Sequence, residues 1–139
     1  MSYIVERTRV EKVRVTRTEM KTLKDWLGIE FESSSGRTPE FMAFAKMYKE
    51  WFRKQCVAYG LRLISWSEGH FYCSAFVESV KTGKMAYMSF SDVRHFPGSW
   101  ATNILVRTAK DGKDYSGGAN NYANLETVGD RLQRLTASV

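Results

Sequence analysis

The sequence predicts an α+β fold, in which two to three helices pack on one antiparallel β-sheet, a meander of about four to five strands. Three runs between residues 61 and 91 alternate apolar with polar residues and are separated by short turns, as consecutive antiparallel strands are. Aromatic side chains recur at helical spacing before these runs, and leucines do so near residue 130. A chain of 139 residues can bury one core without disulfides or metals, so we expect a single domain over residues 1 to 139.

The strongest helical pattern begins at Thr38, with Pro39 at the first helical position and Glu40 complementing the helix dipole. Its apolar stripe predicts packing against the sheet, and a partner surface is the alternative; the stripe is Phe41, Phe44, Tyr48, Trp51 and Phe52. Gly60 is placed to end this helix. A strand over residues 9 to 16 and a helix from Thr18 to Gly28 are predicted before it.

The strand predictions follow from alternation and turn residues. Strands are expected over residues 61 to 67, 70 to 80 and 84 to 91, and Gly83 fits a positive φ in the turn between the last two. A further strand covers residues 103 to 108. The last helix covers residues 125 to 135, with Asn124 as its predicted cap.

The charge favours anionic partners without identifying one. Lys and Arg number 21 against 15 for Asp and Glu, a formal net charge of +6, but the excess is spread along the chain. A domain that binds duplex DNA more often concentrates its cations on one face, so nucleic acid stays an alternative. The sequence has no apolar run long enough to cross a membrane, and its first residues lack the apolar core of a signal peptide. Cys56 and Cys73 fit no CxxC or zinc spacing and are expected to be buried free thiols. These features predict a cytoplasmic protein.

The polar loop after the strand at 103 to 108 is the first candidate site. Arg107 precedes it, and the loop holds cations, amides, a hydroxyl and rings, the groups that hold a phosphate beside a base. Gly117 and Gly118 would let backbone N–H groups converge on an oxyanion. The alternative is a flexible connection in which glycine and asparagine only form turns.

A second candidate segment covers residues 89 to 100. Arg94 suits a phosphate there, and the rings of Phe90 and Phe96 suit a base. The alternative is that Asp92 and Arg94 brace a loop whose aromatic residues fill the edge of the sheet.

No catalytic or metal-binding motif accompanies these segments. His70 and His95 could in principle take part in metal-free phosphodiester cleavage, but the sequence has no paired HxT or HxS element. It also has no HxH, HExxH or zinc spacing. We therefore expect no catalytic residue, no metal ion and no cofactor.

The chain also resembles a known family. A phenylalanine-rich helix is followed by GHFYCSAFV, YMSFSDVRHFP and NILVRTAKDGKDYSGGANNY. Over roughly residues 38 to 125, this order resembles the anti-Thoeris sponge proteins of bacterial viruses. The resemblance implies a non-enzymatic viral protein that sequesters a cyclic ADP-ribose isomer made by a host TIR-domain enzyme, and sometimes cyclic oligonucleotides. It would thereby block anti-phage signalling in the host cytoplasm.

The resemblance further implies a homo-oligomer, a dimer or higher, with pockets at a subunit boundary lined by aromatic, arginine and asparagine side chains. The residues chosen for such a site on their chemistry are Phe90, Arg94, Phe96, Asn103, Arg107, Lys113, Tyr115, Ser116, Gly117, Gly118 and Asn120.

The sequence therefore predicts a protein that binds a small anionic nucleotide ligand without turnover. A nucleic-acid- or protein-binding viral inhibitor of a host nuclease defence is the first alternative. A small metal-free phosphodiesterase using His70 or His95 is the second.

Overall fold

The structure is a computed structural model that describes residues 23 to 31, 38 to 116 and 118 to 137. Within these ranges one antiparallel sheet has the strand order β1-β2-β3-β4-β5, with every strand beside its neighbour in sequence. The strands are β1 (Leu61–Glu68), β2 (Cys73–Ser79), β3 (Met85–Phe90), β4 (Ile104–Ala109) and β5 (Asn121–Ala123). The helices are α1 (Pro39–Ala58), α2 (Ser99–Thr102) and α3 (Val128–Leu135), and Leu23–Trp26 forms a 3-10 helix. The predicted α+β meander is confirmed.

Two predicted elements lie wholly or partly outside the described residues. The strand over residues 9 to 16 is one, and the first part of the helix from Thr18 is the other. Of that helix the structure describes the 3-10 turn, whose Leu23 and Trp26 are buried.

Helix α1 forms where the sequence places it. The Thr38 hydroxyl accepts a hydrogen bond from the Phe41 N–H at 3.2 Å, and Pro39 occupies the first turn, where its missing N–H needs no partner. Gly60, with a φ of 71°, follows the helix end. Four rings of the predicted stripe are fully buried, namely those of Phe41, Phe44, Tyr48 and Phe52. The stripe is therefore core, as predicted.

Alternation along the strands gives the sheet two different faces. Cys73, Ala75 and Val77 are buried on β2, and the residues between them are half-buried. Ala86 and Met88 on β3 follow the same rule. We call the face that carries these buried residues the inner face, and it packs against the helices. We call the opposite face, which carries the half-buried residues between them, the outer face.

The connections confirm one predicted turn and add two short elements. Gly83 has a φ of 76° in the turn between β2 and β3, as its position predicted. Two short elements were not predicted from the sequence, namely α2, which follows Gly98 at a φ of 81°, and β5. In α2, Trp100 is buried and its carbonyl accepts a hydrogen bond from the Tyr48 hydroxyl at 3.1 Å.

The last helix begins later than predicted. The Thr127 hydroxyl accepts a hydrogen bond from the Asn124 N–H at 3.0 Å, and Asn124 Oδ1 accepts one from the Thr127 N–H at 2.9 Å, so a turn precedes α3. Gly129 then lies so close to the Tyr59 ring that an added Cβ would be 2.4 Å from it. This contact fixes α3 against the end of α1. No helix in the described ranges is long and apolar enough to cross a membrane.

Candidate ligand-binding face

A row of side chains crosses the outer face at the centre of the sheet. Phe76 on β2 is paired with Tyr87 on β3, and Tyr87 is paired with Arg107 on β4. Directly paired residues of antiparallel strands project to the same side, with Cβ atoms about 4.5–5.5 Å apart. The Phe76 and Tyr87 ring centroids are 5.0 Å apart, and all three residues are half-buried. Two rings and one guanidinium thus lie side by side.

The loop after β4 adds a third ring to this row. Tyr115 stacks on Tyr87 with a centroid separation of 4.1 Å and an interplanar angle of 11°. Its centroid is 6.3 Å from that of Phe76, and 42% of the residue remains exposed. We call Phe76, Tyr87 and Tyr115 the ring cluster. It presents an aromatic surface on the side of the sheet opposite the described helices.

Arg107 lies beside the ring cluster and has unused hydrogen-bonding capacity. Its guanidinium carbon is 5.5 Å from the centre of the Tyr115 ring, and its Nη2 donates to the carbonyl of Gly118. Its Nε is buried and has no hydrogen-bond partner among the described residues. Because Nε and Nη2 form a fork that matches two oxygens of a phosphate or carboxylate, a single carbonyl satisfies half of it.

The loop itself is held by its own carboxylates. Asp111 Oδ1 accepts the backbone N–H groups of Lys113 and Asp114 at 2.8 and 2.9 Å. Asp114 Oδ1 accepts both the N–H and the hydroxyl of Ser116, at 2.9 and 2.6 Å. These hydrogen bonds from Ser116 lower the pKa of Asp114 below its ordinary value. The N–H groups of residues 113, 114 and 116 therefore converge on oxygens of the chain. The predicted anion nest depends also on Gly117, which lies outside the described residues.

Gly118 is required by close packing. A Cβ at this position would lie 2.7 Å from the Thr108 hydroxyl oxygen and 2.9 Å from the Thr108 carbonyl oxygen. The loop backbone therefore lies directly on β4, which brings the Gly118 carbonyl to Arg107. The sequence predicts a role for Gly118 in a flexible loop that binds an anion. In the structure, glycine is needed at this position because a side chain would not fit.

Arg94 belongs to the scaffold, as the alternative interpretation of its loop proposed. Its Nη2 is 2.7 Å from Asp92 Oδ2, and its Nε donates to Asp92 Oδ1 at 3.1 Å. The guanidinium carbon also lies 4.3 Å from the centre of the Phe71 ring, and 12% of the side chain is exposed. The hydrogen bond from Arg94 lowers the pKa of the Asp92 carboxyl. We therefore leave Arg94 out of the candidate site.

The other residues that were predicted for the site lie in different parts of the structure. Phe90 is 3% exposed and packs in the core, 4.9 Å from Tyr48, so its ring offers no face to a ligand. Phe96 is 59% exposed in the loop after β3. Asn103 is exposed and precedes β4, four residues along the chain from Arg107. Two further predicted residues, Lys113 and Asn120, are exposed in the loop after β4.

Phe76 and Tyr87 were not predicted as site residues, although the sequence carries a signal for them. Alternation on β2 that puts Cys73, Ala75 and Val77 on one face leaves Phe76 on the other. Large rings on the face that should be polar are the unusual feature there.

A second row on the outer face consists mostly of small serine side chains and ends in an aromatic ring. Ser67 pairs with Ser74, Ser74 with Ser89, and Ser89 with Leu105. Leu105 in turn pairs with Tyr122 on β5, which is 55% exposed. The outer face thus has a low serine surface beside the ring cluster and another exposed ring at its edge.

The two cysteines and His70 pack against other parts of the fold. Cys56 and Cys73 are buried free thiols, as predicted, and burial raises the pKa of Cys56 to about 12. His70 packs edge-on against Phe71 with centroids 5.2 Å apart. In the part of the chain that the structure describes, no three His, Cys, Asp or Glu residues are grouped so that they could hold a metal ion.

Comparisons with known proteins add no relative. No protein-family model matches this chain, and neither the curated proteins nor the solved structures give a match. The resemblance to the anti-Thoeris sponge proteins stays a prediction.

Proposed function

We propose that this protein binds a nucleotide on the outer face of its sheet and releases it chemically unchanged. One observation carries the proposal: Arg107, with half of its guanidinium fork unsatisfied, lies in the same row as the stacked pair Tyr87 and Tyr115. A flat ring and a bidentate cation are the partners that a base and a phosphate require.

The magnitudes indicate how much of the affinity this row supplies. Stacking on an aromatic side chain contributes about 1–3 kcal/mol per base. A hydrogen bond to a charged group contributes about 1.5–3 kcal/mol. One base and one phosphate therefore give about 2.5–6 kcal/mol, whereas micromolar binding needs about 8 kcal/mol. A tightly binding protein must add contacts, and the homo-oligomer that the family resemblance implies would supply them from a second copy.

The chemistry of the row favours binding over turnover. The Arg107 guanidinium offers only hydrogen-bond donors, and the ring cluster offers aromatic faces. Hydrolysis of a phosphodiester needs a group that accepts a proton, and the usual such groups, histidine and carboxylate side chains, are not members of the row. The row therefore suits a protein that sequesters its ligand.

The biological form of this binding that we propose is the one that the family resemblance implies. The protein would sequester a cyclic ADP-ribose isomer, or a cyclic oligonucleotide, in the cytoplasm of an infected cell and so block host anti-phage signalling. It would need no cofactor, because capture alone lowers the free concentration of the signal.

Calorimetry with Arg107→Ala tests the proposal. We expect the variant to bind cyclic ADP-ribose and cyclic dinucleotides about 10- to 150-fold more weakly than the wild type, the equivalent of one charge-assisted hydrogen bond. Arg62→Ala is the matched control, because Arg62 lies on the same face but already pairs with Glu78 at 3.2 Å. The two variants losing equal affinity, or heat-released ligand being recovered as cleaved product, would contradict the proposal.

Single-stranded nucleic acid is the second candidate, and the open ring cluster favours it. Proteins that bind single-stranded RNA stack bases on aromatic side chains of an exposed sheet in the same way. This function predicts that affinity rises with oligonucleotide length and falls steeply with salt concentration. A small nucleotide that binds as tightly as an oligonucleotide would exclude it.

A further inference from the structure

We infer that the outer face prefers two bases joined through a phosphate to a single base, which favours a cyclic oligonucleotide over a cyclic ADP-ribose isomer among the proposed ligands. This inference rests on the proposed function and names the ligand class of the same site. The observation behind it is Tyr122, an exposed ring on the far side of Arg107 from the ring cluster.

The register of β4 and β5 places Tyr122 on the outer face. Ile104 pairs with Ala123, and both are buried on the inner face. The next pair, Leu105 with Tyr122, must therefore project to the other side, because successive residues of a strand alternate. The Tyr122 carbonyl accepts a hydrogen bond from Arg131 Nη1 at 3.0 Å, which ties this short strand to α3. The ring is thus carried by a backbone with a fixed position.

Arg107 lies between the two aromatic platforms. It is directly paired with Tyr87, which carries Tyr115 on its ring. Tyr122 is the diagonal neighbour of Arg107 on the next strand, because it pairs with Leu105, and such neighbours are about 7–8 Å apart. The Cα atoms of Tyr87 and Tyr122 are separated by two strand spacings and one two-residue step, about 12 Å in total.

This spacing selects a ligand with two bases. Stacked rings lie about 3.4 Å apart, so a single base held between two rings spans only about 7 Å and cannot contact both platforms. Bases that are splayed apart can each stack on a tyrosine, as bases of single strands do on proteins. The phosphate that joins them then lies over Arg107. The low side chain of Ser89, paired with Leu105 beside this path, leaves room for the sugar. A mononucleotide would use one platform and leave the other in water.

The two sources of such a ligand are a free dinucleotide, linear or cyclic, and a step within a longer single strand. Adenine probes are sufficient for the test, because stacking on a ring tolerates any base. The probes are adenosine monophosphate, linear diadenylate, cyclic diadenylate and a ten-residue oligoadenylate. A preference for either dinucleotide over the oligoadenylate identifies a free dinucleotide as the source, and the reverse preference identifies a strand.

Tyr122→Ala is the decisive variant, with Tyr122→Phe as its matched control. We expect Tyr122→Ala to bind either dinucleotide about 5- to 150-fold more weakly while its affinity for the monophosphate stays unchanged, and we expect Tyr122→Phe to keep wild-type affinity because the ring remains. If Tyr122→Ala leaves dinucleotide binding unchanged, or weakens the monophosphate to the same extent, the inference is wrong while the proposed function stands. If the wild type binds cyclic ADP-ribose but neither dinucleotide, the inference is wrong while the proposed function stands. If it binds neither cyclic ADP-ribose nor any of the four probes, the proposed function itself fails.

Discussion

Replacing Arg94 by alanine should destabilise the fold and leave ligand binding intact. Its guanidinium makes two hydrogen bonds to Asp92, at 3.1 and 2.7 Å, and lies over the Phe71 ring. Breaking a buried ion pair costs about 3–5 kcal/mol, whereas an exposed pair contributes about 0–1 kcal/mol. Because 12% and 22% of the two side chains are exposed, the loss in the free energy of unfolding should lie between these limits, at about 1–3 kcal/mol. For a chain of this length such a loss lowers the Tm by about 3–12 °C.

The pH dependence gives this prediction a second signature. Arg94 holds the pKa of Asp92 below its ordinary value of 3.8 in the folded protein. The stabilising contribution of the pair is therefore present above the unfolded pKa and is lost as pH falls through the lower folded pKa. The difference in unfolding free energy between the wild type and Arg94→Ala should shrink as pH falls from about 5 to about 2.

Urea unfolding followed by tryptophan fluorescence measures both effects. Arg62→Ala is the control, because the Arg62 and Glu78 side chains are 59% and 30% exposed. Breaking this exposed pair should lower the free energy of unfolding by less than about 1 kcal/mol. Equal losses in Arg94→Ala and Arg62→Ala, or a difference that stays constant down to about pH 2, would refute the bracing role of this pair. Loss of nucleotide binding in a folded Arg94→Ala variant would return Arg94 to the site.

Two further predictions concern packing. Gly118→Ala should lower the free energy of unfolding by about 1–2 kcal/mol and speed hydrogen exchange in the loop after β4, because its Cβ would meet Thr108 atoms at 2.7 and 2.9 Å. Gly112→Ala is the control, because its Cβ would meet nothing closer than 3.5 Å. Equal exchange rates in the two variants would contradict the packing argument. Cys56 and Cys73 are buried, and the raised pKa of Cys56, about 12, keeps its thiol protonated, so Ellman's reagent should react with neither until urea unfolds the protein; rapid reaction of the native protein would show that the core opens readily.

Most of the fold could be predicted because its long elements carry strong local patterns. Thr38 and Pro39 mark the start of α1. Gly83 marks the turn between β2 and β3. The three residues of β5 and the four of α2 are too few to show a period, so both were missed. The start of the last helix was misplaced, because an apolar residue at helical spacing, Leu125, lies in the turn before α3.

The site was harder to predict, because it depends on contacts between distant residues. Tyr115 and Tyr87 are separated by a whole strand and two connections, and no local pattern shows that their rings stack. The position of Phe90 could have been predicted. It follows Ala86 and Met88 at the strand period and therefore shares their buried face. Arg94 was ambiguous on the sequence because a carboxylate two residues away can be either its structural partner or a neighbour in a site.

The division of the sheet into two faces affects how such a protein can evolve. The buried rings and aliphatic side chains that hold the strands to the helices occupy one side, so the residues of the other side are under little folding constraint. Under the proposed function, exchanging a ring at Phe76, Tyr87 or Tyr122 would alter which ligand is recognised and leave the hydrophobic core as it was. A lineage that used the outer face in this way could follow a changing ligand through single substitutions, each of which would still yield a folded protein.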